Sequence, residues 1–504
     1  MLRISDISDP STLNPMLTGA DIAYQLAAYT LEFLVQLDDK GRIIPVLCTD
    51  VPSVQNGGLS KDGRTVTYHL RRNVFWSDGQ PFGAADVVAS WKQVMNPLNN
   101  VQIREGYDAI ERIDTPNSYT AVLHLKQPYA PLVTRFFAGI QEGPIALMPA
   151  HVIAKQKELN DSPFNSHPIG TGPFMVKSWE RNGKLIFVAN PHYWRGAPKL
   201  ERIEFAAQPS TSTELVGFKT HEIDANFDAG ANRLLEYAQL AGMHAVRSRS
   251  LRLYVLDMNC GKPPLADVRL RRAIAYAVDR RAIMHNVHHD AATLADEWLP
   301  AWSWGYTPDV PRYAYSPARA AALLDAAGWR LQGNTRFKDG KRLTLNIVGV
   351  TGSGANKQTS ELIQSYLRAV GIDAQIKNYP YGIVFNIDGP IRQGKYDLVN
   401  YSFSVNFDPA AYNQDGCDQF APKGANDARI CDRVVDREER EALRLVDQQR
   451  RKALYADIEK RRMQDVGGLP MYFLDRVGVA SDDLQGYSAS RGIVPEWNAW
   501  QWTI

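Results

Sequence analysis

The sequence contains no run of about 18 uninterrupted apolar residues, so no segment reads as a membrane-spanning helix. It has no excess of one charge: 57 Lys and Arg stand against 55 Asp and Glu, a net charge of +2. That balance leaves no basic footprint for nucleic acid and no acidic tail. Cysteine is scarce. Cys48, Cys260, Cys417 and Cys431 include no C-x-x-C pair, which removes zinc-ribbon and thioredoxin-type motifs. Residues 1–6 lack the basic-then-apolar run of a signal peptide, so the chain reads either as cytosolic or as a mature form with a replacement start Met. Internal repeats and low-complexity tracts are also missing.

Catalytic signatures are missing too. There is no G-x-S-x-G elbow, no H-E-x-x-H and no Walker A. The segment 349–357 (GVTGSGANK) resembles a phosphate loop only loosely, because its Lys is at the wrong offset. It reads as a Gly-rich turn between a strand and a helix. His285, His288 and His289 with Asp290 form the single His cluster. On one continuous helix, 285 and 289 would share a face with metal-ligand spacing. The helix is expected to fray near Asn286, so no metal and no cofactor is assigned.

What is present is ordinary globular composition, 44% hydrophobic and 22% charged, over 504 residues, enough for several domains. Strand-like and helix-like segments alternate, which predicts α/β lobes. Residues 65–70 read as a strand with Val66, Tyr68 and Leu70 on one face, and 85–95 as a helix with Val87, Val88, Trp91, Val94 and Met95 at helical spacing. Asn182-Gly183 predicts a hairpin between 174–180 and 184–189. Ser316, Pro317 and Gly328 are an N-cap, a first-turn proline and a C-terminal glycine for a helix over 317–327. A second helix is predicted over 359–370. A single long charged helix is predicted over 437–465, with Leu443, Val446, Leu454 and Ile458 inward and its many charges solvated. Arg269, Arg271 and Arg272 read as another solvated helix edge. Cys48 and Cys260 read as buried small hydrophobes. Cys417 and Cys431 bracket a polar loop. A disulfide there is favoured over two free thiols, would stabilise by about 3 kcal/mol and would imply an oxidising compartment.

Several segments together resemble the extracellular solute-binding proteins of family 5, the dipeptide, oligopeptide and nickel-binding components of ABC transporters. They are 9–15 (DPSTLNP), 63–88 (GRTVTYHLRRNVFWSDGQPFGAADVV), 168–174 (PIGTGPF), 190–194 (NPHYW), 267–280 with its Asp-Val-Arg and Ala-Val-Asp-Arg, 323–329, and Gly394-Lys395-Tyr396-Asp397. The 170–173 stretch also reads, without the family, as a place where backbones pass closely or turn sharply. The resemblance implies a two-lobe periplasmic-binding-protein-like α/β fold of class II type, cluster C, with an extra subdomain inserted in the first lobe. The implied boundaries are 1–38, 166–252 and 476–504 for the lobe I core, 39–165 for the insert and 253–475 for lobe II.

The resemblance further implies a monomer in the periplasm or outside the cell, lipid-anchored in some relatives. It would capture a peptide-class ligand by hinge closure and pass it to an ABC permease, without catalysis. Peptide-binding relatives anchor the ligand's amino group on an acid where Val405 stands, and often carry Trp where Ser402 stands. Asp408 is the remaining acid, open to two readings, a ligand anchor or a turn Asp before Pro409. Dipeptide-binding members use an Arg where Gln358 stands, beside Lys357, so a bidentate carboxylate fork is missing. Tyr401 and Phe403 are expected on a cleft strand. Trp302 and Trp304 are expected in a pocket wall or as plugs in a core beneath their loop. Thr18 and Ala20 are expected to offer backbone hydrogen bonds. The missing acid, Trp and Arg keep open a non-peptide solute such as an opine, a sugar or a metal chelate. An extracytoplasmic enzyme and a signalling receptor are more distant alternatives.

Overall fold

The computed structural model describes residues 1–181, 183–421 and 423–504. By internal packing the chain divides into two compact units. The first comprises Met1–Ser250, Arg444–Val446 and Arg476–Ile504; the second comprises Leu251–Leu443 and Asp447–Asp475. The changes of unit at 250/251 and 475/476 fall inside two long strands, Met243–Met258 and Gly468–Ser481.

In the first unit the strand Leu2–Asp6 runs parallel to Arg202–Ala207, which pairs antiparallel with Lys184–Ala189. The hairpin forms as its turn signal predicts, with Phe174 opposite Ala189, although Asn182 itself lies outside the described residues. Leu2, Phe187, Ile203 and Trp502 close the core at 0% exposure, each worth about 1.5–3 kcal/mol against solvent. A separate three-stranded antiparallel sheet joins Thr65–His69, Thr120–Leu125 and Ile110–Asn117. The nearby helix Ala84–Met95 starts where Asp86 folds back on Gly83 N at 2.8 Å. The second carboxylate oxygen of Asp86 accepts from Ala150 N at 2.7 Å.

Two of the family-like motifs acquire physical reasons here. A Cβ on Gly170 would sit 1.7 Å from the Thr30 carbonyl oxygen, so only glycine permits that backbone approach. Tyr193 and Trp194 donate to the buried Glu32 carboxylate at 3.1 and 3.0 Å, so the aromatic pair supplies the partners that a buried acid requires.

In the second unit Asp373–Pro380, Thr344–Thr351 and Leu398–Ser404 are parallel neighbours. Leu398–Ser404 then pairs antiparallel with residues 252–258. Helices Val268–Ala277, Arg280–His288, Pro317–Ala326 and Gly354–Ala369 pack through Leu270, Ile283, Leu324 and Ile363 onto Leu256, Met258 and Ile347. Ser316 caps Pro317–Ala326 by accepting from Arg319 N, and Gly328 follows at φ +89°.

Four expectations are corrected. The helix predicted from 359 begins at Gly354, because Ser353 caps it by accepting from Asn356 N at 3.2 Å; the Gly-rich stretch links it to the strand Thr344–Thr351, as expected. The single helix predicted over 437–465 is two, Arg433–Ala442 and Gln448–Asp465, with Asp447 capping the second by accepting from Arg450 N. Their inner faces bury Glu439, Arg451 and Glu459, so those charges are not solvated. Arg271 is 5% exposed and donates to the carbonyls of Leu265 and Asp465 at 2.9 and 2.8 Å, unlike its exposed neighbour Arg269.

Cys417 and Cys431 form a disulfide across their polar loop. Cys48 is buried and Cys260 half-buried, both as free thiols. His288 is buried and hydrogen-bonds Tyr472 Oη at 3.0 Å, while exposed His285 meets Asp290 at 2.9 Å. The helix ends at His288, with His289 at φ +50°, so 285 and 289 do not share a helical face. Among the described residues no group of His, Cys, Asp and Glu has metal-holding geometry, and no helix is long and apolar enough to cross a membrane.

Candidate ligand-binding face

The strand Leu398–Ser404 has Tyr401 and Phe403 on one face, because side chains two apart on a strand point the same way. Their rings lie 5.8 Å apart, and Phe385 meets Tyr401 edge-on at 5.2 Å. Tyr401 and Phe385 pack on Val384, Ile391 and Val399, while Phe403, Trp302 and Phe407 pack on Leu253, Val405 and Phe473. Trp302 and Phe407 have centroids 6.2 Å apart. All five rings are only partly buried. The second unit thus carries a half-covered aromatic face that can take the apolar or planar part of a ligand.

Two carboxyl groups near this face have partners within the protein. Tyr401 Oη donates to Asp257 Oδ2 at 2.7 Å, and burial pushes the Asp257 carboxyl up to about 7. The hydrogen bond from Tyr401 opposes that shift without cancelling it. Asp408, 5% exposed, is held by Arg451 through both carboxylate oxygens, with Arg451 Nη1 at 2.7 Å from Oδ2. Ala410 N adds a third donor at 3.2 Å. The anchor expected at Asp408 is therefore an internal ion pair, because a guanidinium fork supplies the partner that a buried carboxylate requires.

The other expected site residues separate by environment. Trp304 meets Tyr455 edge-on at 5.8 Å and lies 5.0 Å from the Arg451 guanidinium, in a cluster with Val435 and Ile458; it plugs a core. Lys357 and Gln358 are exposed on the first turn of Gly354–Ala369, with Lys357 4.0 Å from Glu361. Thr18 and Ala20 belong to the first unit. Thr18 is buried, its carbonyl accepting from Tyr24 Oη at 2.8 Å and its hydroxyl from Ala20 N at 3.1 Å. Ala20 is the exposed N-cap of Asp21–Ala27. Sequence reasoning missed Phe385, Phe407 and Asp257. Phe407 sits inside the very segment singled out, whereas Asp257 and Tyr401 lie 144 positions apart and carry no joint signal.

A chain that folds as two α/β units and passes between them within two strands has the organisation of a solute-binding protein. Comparison with known proteins agrees. The family model described as bacterial extracellular solute-binding proteins, family 5 Middle, matches residues 42–419. The nickel-binding periplasmic protein of Escherichia coli is 27% identical over 498 residues, 94% of this chain and 88% of that one. The dipeptide-binding protein of Escherichia coli is 27% identical over 400 residues, 74% and 70% of the two chains. Among solved structures, the oligopeptide-binding protein AppA of Bacillus subtilis, in complex with a nonapeptide, superposes with a TM-score of 0.82 at 20% identity. That superposition covers 100% of this chain and 98% of the other. The chain belongs to the family 5 bacterial extracellular solute-binding proteins.

Proposed function

We propose that this chain is the extracytoplasmic ligand-binding component of an ABC importer. It takes a peptide-class ligand, closes about the strand crossings at 250/251 and 475/476, and passes the ligand to a permease unaltered. The observation that carries this reading is the half-covered aromatic face of Tyr401, Phe403, Phe385, Trp302 and Phe407. It offers planar and apolar contact area, which suits binding. The chain acts as a monomer, with affinity between about micromolar and nanomolar.

The division of lobe I into a core of 1–38, 166–252 and 476–504 and an inserted subdomain of 39–165 belongs to the same proposal, except that 251–252 pack with the second unit. Its support is the separate three-stranded sheet formed within residues 65–125. A lipid anchor is proposed only as one mode of retention outside the cytoplasm.

One finding favours a second reading. Asp408 is spent on Arg451, and neither Lys357 nor Gln358 offers a guanidinium fork. A ligand without the two end charges of a dipeptide, such as an opine, a sugar or a metal chelate, then becomes the competitor. Thermal-shift screening against di- to pentapeptides and nickel–histidine chelates separates the two. A rise in Tm with peptides alone supports the first reading, and a rise with the other solutes alone supports the second.

A further inference from the structure

In the second unit, four acidic side chains converge on one arginine. Arg462 Nη1 lies 3.0 Å from Glu459 Oε1 and Arg462 Nε 3.5 Å from Asp415 Oδ1. Glu439 stands beside Asp415, Glu459 and Arg462, and Glu297 beside Glu459 and Arg462. Glu297 and Glu439 are 0% exposed and Glu459 2%. The Arg462 guanidinium carbon lies over the Trp298 ring, 4.4 Å from its centroid. One cation cannot neutralise four carboxylates in so dry a place.

A second, independent observation is the hydrogen-bond inventory. Glu297 Oε2, Asp415 Oδ2 and Glu439 Oε1 are buried oxygens without a donor. An ionised carboxylate only accepts, so ionisation would leave all three unsatisfied. A protonated carboxyl is a donor as well as an acceptor and carries no net charge into so dry a place.

The cluster also holds backbone. Glu297 Oε1 accepts from Thr307 N at 2.9 Å, Glu459 Oε2 from Trp298 N at 3.1 Å and Glu439 Oε2 from Ala411 N at 3.2 Å. These bonds tie down both ends of the 298–307 loop, which carries Trp302, and the segment that follows Asp408.

We propose that Glu297 and Glu439 keep their protons at neutral pH and form, with Asp415, Glu459 and Arg462, a proton-held latch on the 298–307 loop. Alkaline conditions ionise the latch and free the loop. Its effect on ligand uptake rests on the function proposed above; the latch itself does not.

The direction follows from surroundings on every side. Glu297 faces Glu459, Arg462, Asp296 and the Tyr306 phenol, with Asp296 itself 3.8 Å from Arg280 and 3.5 Å from Arg312. Glu439 faces Asp415, Arg462, Glu459 and the Tyr455 phenol, behind which stands the Asp408 and Arg451 pair. Burial first, and then a neighbouring carboxylate, push both carboxyls upward, Glu297 to about 9. Because the folded values lie above the unfolded ones, the stabilisation is complete at low pH and is lost as pH rises through the folded value.

The test is backbone hydrogen exchange of the ligand-free chain between pH 6 and 10, corrected for intrinsic exchange. In the wild type, protection of residues 298–307 should fall at least tenfold between pH 7 and 10. Glu297→Gln and Glu439→Gln, neutral and of the same shape, should fold at pH 7, and each should flatten that fall. A flat wild-type profile would overturn the proposal, as would variants that follow the wild-type curve. Unfolding of either variant at pH 7 would overturn it too, since the replaced group is there held to be neutral already. A ligand that binds with pH-independent affinity while the loop responds would sink only the link to uptake.

Discussion

Asp408 and Arg451, 43 positions apart, form a buried two-point ion pair with side chains 7% and 6% exposed. Arg451 also leans toward the rings of Trp304 and Tyr455, so the pair fastens the segment after Phe407 to the helix Gln448–Asp465. Its strength is mutual: each charge is tolerable inside the protein only because the other is there.

Asp408→Asn should therefore act on folding and not selectively on binding. Removing the anion strands a buried guanidinium, at a cost of about 3 kcal/mol in urea unfolding. Unchanged stability together with lost ligand affinity would restore Asp408 as an anchor.

The tryptophans of the 298–306 loop should divide by role. Trp304→Ala removes a core plug and should lower stability by about 3 kcal/mol. Trp302→Ala and Phe403→Ala should each weaken ligand binding about tenfold or more by calorimetry, with smaller losses in Tm. Lys357→Ala should change neither.

The disulfide should contribute through the loop it closes. Replacing Cys417 and Cys431 together by Ser should lower unfolding free energy by about 3 kcal/mol. Asp415 lies two residues before Cys417, so the same change should also disturb the Arg462 cluster. Intact-mass measurement with and without reductant under alkylation should find two masked thiols of four.

The first unit should lose stability with alkali for its own reason. Glu496 is 2% exposed and one of its oxygens has no hydrogen-bond partner. Burial pushes its carboxyl up to about 8, against the opposing pull of Arg476. A carboxyl raised on folding contributes fully below the unfolded value of about 4.3 and loses that contribution as pH climbs through 8. Calorimetric Tm should fall between pH 6 and 9, and Glu496→Gln should shallow the slope. A Tm that climbs across that window would contradict the assignment.

These outcomes show where sequence reasoning reaches and where it stops. Local rules carried far. The 170–173 glycines, the Ser316 cap and the paired strands 174–179 and 184–189 each depend on neighbours within a few residues or on backbone freedom, and each is visible in the chain. The burial of the charged helices is not legible in the chain, because i,i+4 charges look alike whether water or a buried partner faces them. Arg451 and Arg462 find their acids across 43 and 47 positions. Asp257 and Tyr401 meet only once two strands have paired. The aromatic face is half legible: strand alternation gives Tyr401 and Phe403, but only packing separates Trp302, on that face, from Trp304, in another cluster.

Capture without chemistry is tested most directly by native mass spectrometry. The chain would be incubated with a defined mixture of di- to pentapeptides and nickel–histidine chelates, weighed intact, then denatured to release what it holds. One molecule bound per chain, and recovered with its mass unchanged, is the expected result. No complex with any component, or release of a cleaved or otherwise altered product, would contradict it.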